Sequence, residues 1–411
     1  MSREFFNVQP VQAALDTLFT HWQPTPAHET IPTRHTLGRI TAQPIHAPHD
    51  LPTFARSAMD GYAVRAADTY GASQTLPAYL TCVGTVRMGQ VPSFEIGQGQ
   101  AAEIHTGGML PKGADAVVMI ERTQPLGDAK IEVLAAVARG EHVIQVGEDV
   151  GMGEAILPAG HRLRPQDIGG LLAVGITSIE VAKRPVVGIL SGGDELVPPE
   201  EDPQLGQIRD INAYTLAALV EQHGGTPQVL GIVRDTLDEY RTRAQQGFRE
   251  ADILVMTAGS SVSTRDLTQQ VIDELGRPGV LQHGLAVKPG KPTILAVGDG
   301  KPVIGLPGNP VSALLVAHQV VVPLLQRAMG QQPRLAPTVQ AVLSANVASV
   351  TGREDTIPVR LISTEQGLRA EPVFGKSNLI FTLMKADGLL HVPLNSGGLK
   401  AGVMVEVVLF Q

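Results

Sequence analysis

At 411 residues the chain is longer than one ordinary core can use, so two to four domains are expected. A hydrophobic share of 43% beside 18% charged residues describes a packed globular protein and excludes a disordered one. The formal charge of -8, with acids spread along the chain, argues against broad nucleic-acid binding but leaves room for a small anion at a local lysine cluster. Cys82 is the only cysteine, which rules out an intramolecular disulfide and argues against a cysteine-built metal site. The start, Met1-Ser2-Arg3-Glu4-Phe5-Phe6, lacks a basic region leading into an apolar stretch, so no signal peptide is expected and the cytoplasm is the default.

In chain order, Val11, Leu15, Leu18 and Phe19 recur at helical spacing within the first ~25 residues. From about 51 to 146 the text turns to short β-rich runs, at 78–83, 100–105, 116–120 and 130–134, broken by glycine and proline; a small, mostly β domain is expected. Between 184 and 330, strands alternate with helices. A buried-strand run at 185–190 ends in the turn Ser191-Gly192-Gly193-Asp194, and a helix over about 213–223 closes on Gly224-Gly225. Strand 228–233 follows, and then Thr236-Leu237-Asp238-Glu239 matches a capping box. Strand 253–256, helix 267–275 and short strands at 285–287, 294–297 and 303–305 come next. Asn309-Pro310 reads as an N-cap and first-turn proline opening a helix over 311–329. The apolar run at 311–326 carries His318 and two glutamines and reads as a buried helix rather than a membrane span. Such alternation implies a parallel sheet covered on both faces, with ligands collecting beyond the carboxyl ends of its strands. After Gly330, Pro333 and Pro337 mark a linker, and the last ~75 residues return to β patterning that suggests a small barrel.

The strongest chemical signal is Lys288-Pro289-Gly290-Lys291-Pro292, two lysines three apart on a stiffened turn directly after a strand. Prolines fix φ and glycine allows close backbone approach, which suits a compact oxyanion; a solvated surface turn is the equal alternative for the motif alone. Pro292 after the lysine excludes a P-loop. The run from Gly305 to Ser312 delivers a strand into a helix N-terminus, where an anion is favoured, although turn building alone explains it. Asp194 and Glu195, Asp235 and Asp266 follow three successive strands, so one rim would carry carboxylates able to hold Mg²⁺ beside phosphates; helix capping is the plain alternative for Asp266. The hydroxyl-rich loop from Thr257 to Ser263, with Ser261 in its middle, could wrap phosphates or be an ordinary loop. Three polar islands, 54–63, Thr106-Gly107-Gly108 and Gly147-Glu148-Asp149, carry no reaction by themselves.

It is the ordered combination that is specific. Ser57-Ala58-Met59-Asp60-Gly61-Tyr62-Ala63, Thr106-Gly107, Gly147-Glu148-Asp149, Gly193-Asp194-Glu195-Leu196, the Lys288 to Pro292 turn and the Leu306 to Pro310 turn stand in the order found in the molybdopterin molybdenumtransferases. The chain resembles this family, also called MoeA and including the E domain of gephyrin, along nearly its whole length. The resemblance implies an α/β multidomain protein: a doubly wound α/β domain like that of molybdopterin adenylyltransferases (7–26 plus 181–330), a β-rich domain (51–146), a small linking domain (27–50 plus 147–180) and a C-terminal β-barrel (331–411). It also implies a homodimer working with molybdopterin adenylyltransferase and other proteins of the pathway, with no nucleic-acid or membrane partner.

The implied reaction inserts molybdate into adenylated molybdopterin and releases AMP, with Mg²⁺ required. Carried over by position, Asp60, Asp149, Glu195, Asp235 and Asp266 match residues implicated in activity, and Glu195, Asp235 and Asp266 would hold the metal. Thr106, Ser261, Lys288, Lys291, Pro307 and Pro310 match ligand positions, with Arg353 and Ser377 as looser matches near the oxyanion. The chain departs from the family at Ala258-Gly259-Ser260-Ser261, at Ile144, at Gly108, and at Asp355-Thr356 in place of an acidic–aromatic pair; these leave room for a related oxyanion such as tungstate. The expectation is a dry, pre-charged cradle at the carboxyl rim. Two other readings stay open: an ATP-dependent adenylyltransferase, which the flanking β domains count against, and a non-catalytic scaffold, which the retained acids and lysines count against.

Overall fold

The computed structural model describes residues 8–127, 129–258, 262–333 and 336–410, with the side chains of 258 and 262–266 outside that description. The helix Val11–His21 buries Val11, Ala14, Leu15 and Leu18, the stripe its sequence predicts, and these join one core with residues near 295–325. The chain then leaves that core. His28–Pro32 pairs antiparallel with Ser178–Ala182, and Ile45–His46 with Ala155–Leu157, around a small core of Leu157, Leu163, Leu171, Ile179 and Val181. Between those two arms a six-stranded sheet forms, with Gln100–Ile104 and Ala78–Thr85 at its centre and Gly61–Val64 beside Gln100–Ile104. Tyr62 and Val64 face one apolar cluster while Ala63 faces another, the period-2 alternation of a sheet buried on both sides.

The α/β segment holds a second six-stranded sheet, in the order Thr226–Val233, Val186–Gly192, Ile253–Ala258, Lys301–Pro307, Ile294–Gly298, Pro278–His283. The first four strands run parallel. The last two run antiparallel to their neighbours, so the sheet is mixed where the alternation alone predicts parallel strands throughout. Its helices do lie on both faces. Ile189, Val255, Leu295 and Ile304 pack with the helices Val11–His21, Asn212–Gln222 and Pro310–Ala328, whereas Leu190, Leu254, Met256 and Val303 pack with Leu237–Glu250 and Val262–Glu274. Thr236 is the N-cap of its helix but makes no side-chain capping bond, so the expected capping box is absent. Gly224 closes the Asn212–Gln222 helix at φ +87°, as the Gly-Gly stop predicts. Pro310–Ala328 is long and apolar enough to cross a membrane by composition, yet eleven of its residues, from Val311 to Leu325, are buried, most of them in the protein's own core.

The last segment closes into a five-stranded barrel. Glu354–Thr364 pairs with Gly367–Pro372, which leads through Thr338–Leu343 and Met404–Leu409 to Gly388–Val392 and back to Glu354–Thr364. Val287–Lys288 adds to this barrel, parallel to Glu354 and Asp355, although 285–287 is expected to extend the α/β sheet. Its partner is not in the α/β segment at all.

His223, at the end of the Asn212–Gln222 helix, meets His318 edge-on at 5.7 Å, and His318 in turn lies 6.5 Å from Phe410. Burial first, then the charges of His318 and Arg162, pull the His223 imidazole down to about 4 from 6.5. Burial lowers His318 as well. A histidine kept neutral by the fold takes up its proton more readily in the unfolded chain, so stability must fall as pH drops from about 6.5 towards 4. Thermal midpoints measured at pH 7, 6 and 5 should decline, and a His223→Gln variant should decline less steeply across that window.

Candidate active site

The lysine turn is built by short-range bonds of its own. Leu285 N–H donates to the Lys291 carbonyl at 2.8 Å, Thr293 N–H donates to the same carbonyl at 2.9 Å, and the buried Thr293 hydroxyl donates to the Gly290 carbonyl at 2.6 Å. Gly290 sits at φ +111°, and a Cβ there would run into the Val316 side chain of the Pro310–Ala328 helix. Glycine is therefore what lets the turn lie against that helix. From outside the turn, Glu354 N–H donates to the Ala286 carbonyl at 2.8 Å, and Lys288 stands in register with Asp355.

Between this turn and the barrel opens a cavity of about 830 Å³. Lys288, Lys291, Arg353 and Lys376 bring four cationic side chains to its wall, with Ser377 and Pro307 beside them. Both lysines of the turn are exposed, so the cleft is wet where a dry cradle is expected. Water reaches them because the cavity opens along the seam between two units rather than under a loop. Arg353 is held by Asp355: Nε donates to Oδ1 at 2.8 Å and Nη2 to Oδ2 at 3.3 Å, and the Asp355 side chain is only 1% exposed.

The strand Lys301–Pro307 runs into the Pro310–Ala328 helix along the same wall. Asn309 is the N-cap without a capping bond; its Nδ2 instead donates to the Ser377 hydroxyl at 3.1 Å. Val311 N–H donates to the Ser377 carbonyl at 3.0 Å, and Asn212 Nδ2 to the Gly308 carbonyl at 2.8 Å. The expected anion site at this helix start thus has its Val311 amide committed to the barrel, which needs that donor to hold Ser377 in place. Pro310 occupies the first helical turn, as expected, and is not among the cavity's lining residues.

The acids gather elsewhere on the same rim. Gly192 and Val233 end neighbouring strands in register, and beyond them Asp235 N–H donates to Asp194 Oδ1 at 3.1 Å. Glu195 and Asp235 are half-buried. Tyr240 lies beneath, its phenol pushed up to about 12 by burial and, less strongly, by the Asp235 carboxylate. Ser261 and the side chain of Asp266 lie outside the described residues. Among those described, no three histidine, cysteine or carboxylate groups come together as a metal site. Three strand spacings separate Val186–Gly192 from Ile294–Gly298, roughly 14 Å at ~4.8 Å each. The acid end and the lysine end therefore cannot grip one atom; they can grip two ends of one extended ligand.

Asp60 and Thr106 form a third group, in the β-rich segment. Thr106 donates to Asp60 Oδ1 from its backbone N–H at 2.7 Å and from its hydroxyl at 3.1 Å, and His105 Nδ1 stands 3.6 Å away. The backbone donor above all holds the Asp60 carboxyl below its ordinary value. Asp149 is exposed, and its N–H donates to the Leu51 carbonyl at 3.0 Å. None of these three lines the cavity. Sequence reasoning missed Asp355 and Lys376 as members of the wall. Alternation could have found Asp355, since i and i+2 share one side of an extended chain and Arg353 is two residues before it; Lys376 directly precedes Ser377.

Three family models together span the chain: the MoeA N-terminal region (domain I and II) at residues 9–175, a probable molybdopterin binding domain at 188–327, and the MoeA C-terminal region (domain IV) at 340–410. A putative molybdopterin biosynthesis protein of Methanocaldococcus jannaschii is 35% identical over 91% of this chain and 90% of its own length. The molybdopterin molybdenumtransferase of Nostoc sp. is 33% identical over 90% of this chain and 86% of its own. Among solved structures, a molybdopterin biosynthesis MoeA protein from Pyrococcus horikoshii OT3 superimposes with a TM-score of 0.86 at 33% identity, covering 98% of this chain and all of that one. Fold and relatives thus agree on an enzyme of molybdenum cofactor biosynthesis. The chain belongs to the molybdopterin molybdenumtransferase (MoeA) family.

Gly290→Ala should drive a methyl group into Val316 and force a disfavoured φ, costing about 1–3 kcal/mol. Chemical unfolding followed by circular dichroism should show an earlier midpoint, while Gly300→Ala, where a Cβ meets only open space, should cost less.

Proposed function

We propose that the cleft between the lysine turn and the barrel receives molybdate, and that the chain inserts it into adenylated molybdopterin with release of AMP. One observation carries this reading: Lys288 and Lys291 of one turn and Arg353, more than 60 residues later, converge on one cavity at the carboxyl rim of the sheet. A tetrahedral dianion is met there by two point charges and one planar fork, a set suited to oxyanions. Ser377 and Pro307 shape the remaining wall. The protein's part is chiefly to bind and orient, since the thiols that take up the metal belong to the pterin.

The acid end of the rim would hold the adenylated end of the substrate. Its donors are carboxylate oxygens, with Asp194 accepting the Asp235 N–H, and we assign Glu195, Asp235 and Asp266 to hold Mg²⁺. Such an incomplete set fits magnesium, which commonly keeps waters and binds through one or two carboxylates plus phosphate oxygens. When bound, the ion would neutralise charge on the pyrophosphate and favour AMP as leaving group. Asp60, Thr106 and Asp149 do not line the cleft of their own chain, and we assign them to completing it across a homodimer. Ser261 and Pro310 are assigned to the phosphate side and the helix start. The reading also carries a cytoplasmic enzyme supplied by a molybdopterin adenylyltransferase.

A Lys288→Ala/Lys291→Ala variant should lose two charge-assisted contacts of about 1.5 kcal/mol each, raising the molybdate KM by roughly 100-fold. AMP release from adenylated molybdopterin, titrated with molybdate and separately with tungstate, measures this, and the circular dichroism melt should stay unchanged. Normal turnover of the double variant would end the assignment.

A further inference from the structure

Asp355 is a carboxylate where a cation-lined cleft has least use for one. It is 0% exposed, lies on the barrel strand Glu354–Thr364, and is flanked in register by Lys288 on one side and Val392 on the other. Its two oxygens are taken by the Nε and Nη2 of Arg353, whose side chain is 32% exposed and lines the cavity. A guanidinium has five N–H donors in one plane, so two held on Asp355 leave three in a fixed direction. A buried ion pair adds little net stability over well-packed apolar residues of the same size. What it supplies here is the direction of the fork.

We propose that Asp355 is a positioning residue for oxyanion binding: it holds the Arg353 guanidinium in the cleft wall, so that the dianion meets an oriented fork. This rests on the reading of the cleft given above. It makes a prediction of opposite sign from charge counting. Asp355 places a negative charge beside an anion site, so charge alone says that removing it tightens molybdate binding. Positioning says that removing it weakens binding, because Arg353 then loses its anchor.

The test is the molybdate dependence of AMP release by the intact protein, with KM and kcat read separately. Asp355→Asn keeps the shape and removes the charge; the molybdate KM should rise about tenfold with kcat little changed, and Arg353→Ala should raise it as much. Combining the two should add nothing to Arg353→Ala alone, since the two residues act as one unit. Arg353→Lys keeps the charge but not the fork; it should bind as weakly as Arg353→Ala, and it decides the matter should Asp355→Asn lose its cooperative melt. A molybdate KM in Asp355→Asn at or below that of the unaltered protein overturns the proposal, as does an equal further loss in the Arg353→Ala background, or an Arg353→Lys protein that binds normally. If the lysine pair is needed and Arg353 is not, Asp355 falls and the cleft stands. If the unaltered protein releases no AMP, the cleft reading falls first.

Discussion

The parallel pairing of Val287–Lys288 with Glu354–Asp355 joins two units that otherwise have separate cores. It is two residues long, yet it determines where the cations stand. Lys288 belongs to the α/β segment by sequence and to the barrel by hydrogen bonding, so the turn cannot move without carrying the strand that bears Arg353's anchor. The Asn309–Ser377 and Val311–Ser377 bonds repeat the arrangement where the Pro310–Ala328 helix starts. Between them an apolar contact of Val311 and Leu315 with Leu383 and Leu389 closes the seam. Polar stitches direct the seam and apolar burial supplies most of its cohesion.

The rim divides its labour by distance. Carboxylates cluster at the end where Val186–Gly192 and Thr226–Val233 finish, and cations at the end where Ile294–Gly298 begins. Opposite charges placed together would neutralise each other and bind neither metal nor anion; several strand widths keep them apart in a field that water further screens. The one exception, Asp355, is fully engaged by the residue it serves.

Most elements could be read from the sequence because their causes are local. The continuous apolar run in Val186–Gly192, the Gly224 stop and the proline at the start of Pro310–Ala328 each act over a few residues. The lysine turn stood out by its own residues, whereas the order of the units and the wall residues Arg353 and Ser377 came with the resemblance. What escaped was decided at long range. Nothing near 287 says that its strand partner lies beyond residue 350, and nothing near Asn309 says that its side chain will serve the barrel rather than cap its own helix. The antiparallel pairings of the α/β sheet escaped for the same reason: the run at 294–297 shows strand character without direction, and the edge strand Pro278–His283 is not foreseen at all.

The helix Val11–His21 completes a core whose other walls are strands and two helices some 170 to 310 residues later. During synthesis it leaves the ribosome before those partners and must wait, its apolar stripe uncovered, while the intervening β-rich sheet folds upon itself. The α/β unit is therefore completed after the β-rich sheet, although this helix is made before it. Loss of the leading turn would leave Leu295 and Val297 facing water in a protein otherwise fully made.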